Sequence, residues 1–242
     1  MENLWLIIAL IFAGQTIGSL FGLIKRPKKI ILYGSLAFAA SMMLGISFLQ
    51  LIPEAIEITA FYLVAISFFL GITIMWIVDK ALPHINPELI KKEKPCVKRS
   101  VIMLIIGMAL HNLPEGLAIG VGLALDPTLG IMIALGIAAQ DVPENIATIV
   151  PLYGLTKKKM KSFVIVTATI LFEVIGFILG YCILKGTSSS LLGASLALAT
   201  GFMTYISIEE LIPAAQIKQN LKVGLISLAL GIICVLLISF LR

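Results

Sequence analysis

The chain has 242 residues, 60% of them hydrophobic and 13% charged, and its mean hydropathy is +1.09. A soluble domain of this length is close to half apolar and a quarter charged, so a soluble enzyme or binding domain is excluded and an integral membrane protein is expected. The formal charge of +5 is no sign of a nucleic-acid partner, because the basic residues lie in short clusters between apolar runs, as in cytoplasmic loops.

A membrane-crossing helix needs about 20 mainly apolar residues, and eight runs satisfy this. Span 1 (3–24) ends at "KRPKK" without a small-residue cleavage site, so a retained span is predicted and not a signal peptide. Span 2 (30–52) runs into "LIPEA", with Glu54 and Glu57 at its end, and span 3 covers 59–82. The loop from Pro83 to Arg99 is short and highly charged. Span 4 (100–125) carries "HNLPEG" from His111 to Gly116, and span 5 (129–155) carries "QDVPEN" from Gln140 to Asn145. "KKKMK" leads to span 6 (161–184), which holds Glu173 in "LFEVIGF". Span 7 (191–213) contains Glu209 and Glu210, and span 8 covers 222–241. No connection is long enough for a soluble domain, so residues 1–242 are expected to form one transmembrane unit. Cys96, Cys182 and Cys234 form no disulfide framework and are expected as packing or loop residues.

Sixteen of the eighteen Lys and Arg residues fall in or beside the loops after spans 1, 3, 5 and 7, leaving only Lys185 and Arg242 for the other side. The positive-inside rule then places both termini outside a cytoplasmic membrane. "LAFAASMMLGISFLQLIPEA" (Leu36 to Ala55) aligns without gaps to "LALATGFMTYISIEELIPAA" (Leu196 to Ala215), with ten of twenty positions identical. The copies sit on spans 2 and 7 and therefore point in opposite directions. The expected fold is all-α, with eight transmembrane helices in a 3+2+3 inverted-repeat arrangement. Repeats 1–82 and 161–242 flank the helices of 100–155. Inverted repeats are a transporter signature and place a substrate near mid-membrane. "HNLPEG" and "QDVPEN" form a second, shorter inverted pair.

Each acidic residue at mid-membrane costs about 2.5–3.5 kcal/mol on insertion scales. Glu115, Asp141, Glu144 and Glu173 have no Lys or Arg at their depth in any span, so protons or bound cations must balance them. Residues three and four apart share a helix face. His111 and Asn112 therefore lie one turn from Glu115, and Gln140 and Asp141 one turn from Glu144. If the two helices face each other, the glutamates can bridge two adjacent cation positions. One position adds His111 and Gln140; the other adds Asn112 and Asp141, with Glu173 reaching in from span 6. Imidazole, carboxylate and amide ligands suit zinc, iron or manganese. Pro114 and Pro143 lack an N–H and free carbonyl oxygens beside these residues, which is tolerated at membrane depth where the backbone lines a site.

On "HNLPEG", "QDVPE", the span-6 glutamate and the paired "LIPEA"/"ELIPA", the whole chain resembles the ZIP family (Zrt- and Irt-like proteins), in its bacterial and archaeal GufA-type branch. The resemblance implies a binuclear metal centre between spans 4 and 5, with zinc, iron, manganese or cadmium moving into the cytoplasm. It also implies motion of a bundle of spans 1, 4, 5 and 6 against spans 2, 3, 7 and 8, and it is compatible with a homodimer. Gln140 and Asp141 stand where many members have histidines, which hardens the site. The span-3 loop holds only His84, which argues against metal sensing there. Glu54 and Glu57 are candidates for a metal entrance and Glu209 and Glu210 for an exit, although each could equally be a solvated helix end; Asp79 and His84 are further exit candidates. Two other functions compete. A membrane metallohydrolase would usually need three firm ligands and an open position, but the spans hold one histidine and no HExxH motif. A proton-coupled carrier of an organic solute would use the carboxylates to bind protons.

Overall fold

The computed structural model describes residues 2–24, 27–81 and 97–240, with side chains placed in 4–24, 27–80 and 106–240. His84, Cys96, Lys25, Arg26, Lys91, Lys92, Lys94 and Arg242 lie outside the described residues, as do the side chains of Lys98 and Arg99. The described residues are helical throughout, with no strand.

Helix α1 is Glu2–Ile24, α2 is Lys29–Ile46, α3 is Ile52–Ile58 and α4 is Phe61–Ala81. Two long central helices follow, α5 (Val97–Leu125) and α6 (Pro127–Thr156). Then come α7 (Lys159–Ala168), α8 (Ile170–Ile178), α9 (Ser189–Ile206), the single turn α10 (Ile212–Ala214) and α11 (Leu221–Ser239). Span 2 does not end near residue 52 as expected. A π-helical turn, Ser47–Leu51, joins α2 to α3 and carries the helix on to Ile58. Pro53 supplies no N–H to the turn before it, and the chain answers by widening: the Ile52 N–H bonds the Ser47 carbonyl five residues back. Pro213 has the same effect on Ser207–Leu211, where the Ile212 N–H bonds the Ser207 carbonyl. Span 6 is broken at Thr169, and a further π turn, Leu179–Ile183, follows α8.

Contacts give the helix directions. Asp126 alone joins α5 to α6, and its carboxylate caps α6 by accepting from the Leu129 N–H at 2.9 Å. Down this hairpin Leu123 meets Gly130, Glu115 meets Gln140 and Met108 meets Thr148, so the two helices are antiparallel. Along α1 and α6 the contacts advance together: Gly14 on Ala138, Gly18 on Val142, Gly22 on Ile149. These helices are parallel. The same reading makes α5 and α8 parallel (Leu113 with Gly176, Leu117 with Gly180), α2 and α11 parallel (Gly45 with Val235, Gln50 with Ser239), and α4 and α9 parallel (Phe68 with Gly201, Asp79 with Tyr205). A chain that reverses at every span produces this set of directions.

Seven of the described helical segments are long and apolar enough to cross a membrane; α6 is the exception to the eight expected. Its 30 residues would reach about 45 Å at 1.5 Å per residue. Gln140, Asp141, Glu144 and Asn145 lower its hydropathy, and all four are buried between neighbouring helices. Large apolar side chains such as Phe21, Phe69, Leu230 and Leu237 are exposed on the perimeter, whereas Gln15, Glu115, Gln140 and Glu173 are wholly buried. That distribution, apolar outside and polar within, suits a multi-pass protein surrounded by lipid.

Without a hydrophobic drive between helices in lipid, close backbone approach over small residues carries much of the association. A Cβ on Gly116 would collide with the Glu173 carbonyl, while one on Gly154 would meet nothing within 4 Å. Gly116→Ala should therefore destabilise the protein by about 1–3 kcal/mol through overpacking. Gly154→Ala should be neutral or stabilise it by up to about 1 kcal/mol through helix propensity. Thermal unfolding in detergent separates them, at roughly 2–4 °C of midpoint per kcal/mol.

Candidate metal centre

His111 and Glu115 of α5 meet Gln140, Asp141 and Glu144 of α6, while Asn112 of α5 turns to Thr169 between α7 and α8. All six side chains are buried. The carboxylate oxygens of Glu115, Asp141 and Glu144 come within 4.8 Å of one another. Gln140 Nε2 donates to Glu115 Oε1. Glu173 of α8 is buried beside them, against Gln15 of α1, whose Nε2 donates to Glu173 Oε2 at 2.7 Å. The side chains expected to act together are thus delivered from three helices, and α1 adds one that was not expected.

His111 has a defined orientation. Its Nδ1 lies 3.1 Å from the Gly107 carbonyl, which as an acceptor favours the tautomer with the proton on Nδ1. Nε2 is then left with a lone pair directed into the site, the arrangement found in metal-ligating histidines. Nε2 lies 3.8 Å from Glu144 Oε1 and 3.8 Å from Glu210 Oε2. Asn112 Nδ2 donates to the Thr169 carbonyl at 3.0 Å and to Thr169 Oγ1 at 3.3 Å. The break in span 6 at Thr169 therefore fixes the Asn112 amide and leaves its oxygen as the available electron-pair donor.

Glu115 Oε2, Gln140 Oε1, Asp141 Oδ2, Glu144 Oε2 and Glu173 Oε1 are buried oxygens without a hydrogen-bond partner. Buried polar atoms are normally satisfied, and these unpartnered oxygens, with the His111 imidazole 3.8 Å from Glu144, form a donor set that fits hard or borderline divalent cations. Among the described residues, His111 is the one basic side chain within ion-pair distance of a carboxylate in this cluster.

The other acidic candidates separate. Glu210, a candidate for the exit, projects from the π turn of Ser207–Leu211 to His111 and stands at the cluster's edge. Glu209 on the same turn is exposed, Glu57 is exposed at the end of α3, and Glu54 is buried there. Asp79 accepts from Tyr205 Oη at 2.8 Å and ties α4 to α9. Gln15 could have been noticed as a long polar side chain in an apolar run, between Gly14 and Gly18. The approach of Glu210 to His111 depends on tertiary packing and has no local signal.

A family model described as "ZIP Zinc transporter" matches residues 91–241. A zinc transporter ZupT of Chlorobium limicola is 32% identical over 254 aligned residues, covering 96% of both chains. ZupT of Enterobacter sp. (strain 638) is 34% identical over 221 residues, with 87% of this chain and 86% of that protein covered. ZupT of Chlorobium chlorochromatii is 30% identical over 241 residues, covering 89% of each.

Like charges packed without a basic partner raise the energy of the folded state. Removing one should stabilise the metal-free protein. After exhaustive chelation, and at alkaline pH where the acids are ionised, Asp141→Asn should unfold at a temperature at least 2 °C above the wild type in detergent, at the roughly 2–4 °C per kcal/mol expected for this size. A lower midpoint would mean that the carboxylates are not in mutual repulsion.

Proposed function

Since the chain belongs to the ZIP family, whose members are transporters and not enzymes, we propose that it carries divalent transition-metal cations across the cytoplasmic membrane into the cytoplasm. Zinc is the principal cargo and iron, manganese and cadmium are further candidates. The observation that carries this reading is the group of buried carboxylates with unpartnered oxygens at Glu115, Asp141, Glu144 and Glu173. Four carboxylates carry −4 when ionised, and two divalent cations balance them.

The cargo occupies two adjacent positions. His111 Nε2, Gln140 Oε1, Glu115 and Glu144 serve the first. Asn112 Oδ1, Asp141 and Glu173 serve the second, with the two glutamates shared. Gln140 donates its amide nitrogen to Glu115 and keeps a buried oxygen without a partner, so the same side chain orients one ligand and has a donor atom left to act as another.

The mechanism rests on an inverted repeat in which 1–82 and 161–242 flank the central hairpin and both termini lie outside. Several pairings support it. Exchanging span 1 with 6, 2 with 7, 3 with 8 and 4 with 5 turns the α1–α6 packing into α5–α8, and α2–α11 into α4–α9; all four pairs are parallel. It also turns the α2–α6 contact into α5–α9. Two groups result: α1, α5, α6, α7 and α8 hold the site, and α2, α3, α4, α9, α10 and α11 face it across those last two contacts. Alternating access is a displacement of the first group against the second. The 3.8 Å approach of Glu210 to His111 crosses that boundary and is one of the contacts such a displacement changes.

Uptake of zinc into proteoliposomes tests the route. Glu144→Ala should lose at least tenfold in initial rate, because it removes a shared ligand. Lys159→Ala, at an exposed position beyond α6, should transport like the wild type. Undiminished uptake by Glu144→Ala removes this site from the pathway. Selectivity offers a second check. Imidazole suits zinc better than an amide oxygen does, so Gln140→His should raise zinc uptake relative to manganese several-fold in competition assays. An unchanged ratio would show that Gln140 is not a ligand.

A further inference from the structure

Gln15 stands in the middle of α1, and neither it nor Glu173 has any exposed surface, both being at 0%. Its Nε2 donates to Glu173 Oε2 at 2.7 Å, and the remaining oxygen of each side chain, Gln15 Oε1 and Glu173 Oε1, has no partner. The sequence gives the pair a relationship beyond contact. "QTIGSLFG" from Gln15 aligns with "EVIGFILG" from Glu173, with Ile17 on Ile175, Gly18 on Gly176 and Gly22 on Gly180. The offset of this alignment is the 158 residues that separate the hydrogen-bonded partners. The packing repeats as well. Gly18 and Gly22 lie against α6 beside Val142 and Ile149, while Gly176 and Gly180 lie against α5 beside Leu113 and Leu117. Gln15 is the counterpart of Glu173 in the other half of the molecule.

We infer that Gln15 is the positioning residue of the second cation position, an uncharged amide on α1 that holds the Glu173 carboxylate so that its free oxygen faces the cargo. The inference rests on the two-position reading above and deepens it. Its chemistry follows from charge. A Lys or Arg at position 15 would neutralise Glu173 and take the place of a cation. An apolar residue would leave the carboxylate unheld in a dry interior. An amide donates to one oxygen, leaves the charge intact and keeps the other oxygen for the ion. The Gly14 approach to Asp141 Cβ brings α1 to the same end of the site, where Asp141 is the second ligand with one free oxygen. Partners that orient a metal ligand typically contribute 10–100-fold to affinity.

The test uses the full chain, purified in detergent, stripped with chelator and titrated with zinc, with bound metal per chain counted by elemental analysis. Gln15→Leu, Glu173→Gln and the double variant are compared with the wild type, and Gln15→Ala replaces the first if it does not reach the membrane. The expected result is that Gln15→Leu binds the first zinc with wild-type affinity and the second at least tenfold more weakly. Glu173→Gln should lose the second, and the double variant should bind no worse than Glu173→Gln alone, because Gln15 acts through Glu173. Retention of both ions at wild-type affinity by Gln15→Leu overturns the inference. Equal weakening of both ions also overturns it, since it marks a general packing role. A wild type that holds a single zinc, or a Glu173→Gln variant that holds two, overturns the two-position reading and the inference with it.

Discussion

Burial of several carboxylates in a dry interior, where protons or cations must balance them, is the constraint around which the molecule is organised. Glu115, Asp141, Glu144 and Glu173 would relax apart, or draw in water, if the helices carrying them were free to separate. They are held by backbone-to-backbone packing that leaves no room for adjustment: α5 against α8 over Gly116, Gly120, Gly176 and Gly180, and α6 against α1 over Gly14, Gly18 and Gly22. Interiors packed this closely behave as stiff bodies. The contacts chosen to fix the acids, Gln15 to Glu173 and Gln140 to Glu115, are from neutral amides. Neither supplies charge, so the balance of these acids is left to protons or to a bound cation.

Much of this was legible in the sequence because a membrane makes polar residues conspicuous. Apolar run length marks the helical segments, and helical spacing puts His111 on the face of Glu115 and Gln140 on that of Glu144, but whether those faces meet, and whether Glu173 lies beside them, depends on packing that spacing does not give. Span ends were less legible. The continuation of span 2 through Pro53 to Ile58 depends on a π turn, which has no compositional signature. The place of Glu210 was illegible for a different reason: its neighbour His111 is far away along the chain, and only the packing of α9 beside α5 brings them together. Gln15 was overlooked because a single amide in an apolar run is unremarkable until its partner is known.

The two halves are similar in course and unequal in chemistry. The same one-turn widening precedes Pro53 and Pro213, and the third position after it begins is not used alike. Gln50 faces away from the site and donates to Ser239 Oγ at 3.1 Å, whereas Glu210 approaches His111. A repeated backbone supplies two equivalent places from which a side chain can project, and divergence at single positions turns one into a structural tie and the other into part of the site's rim. Gln15 and Glu173 differ in the same way. At both positions one copy carries an amide and the other a carboxylate, so the resemblance between the stretches does not extend to their charge.

The low hydropathy of α6 has a consequence for how the protein is made. A helix carrying Gln140, Asp141, Glu144 and Asn145 at its centre is a poor candidate for leaving the insertion machinery into lipid by itself. Among the described residues its polar stripe meets α5 at Glu115 and His111 and α1 at Gly14 and Gly18, and the one-residue link at Asp126 keeps α5 at hand from the moment α6 emerges. Insertion of α5 and α6 as a hairpin, joined at Asp126 and covered in part by α1, would shelter that stripe from lipid. The residues that gather in the candidate metal centre are thus also the ones that make α6 costly to insert alone.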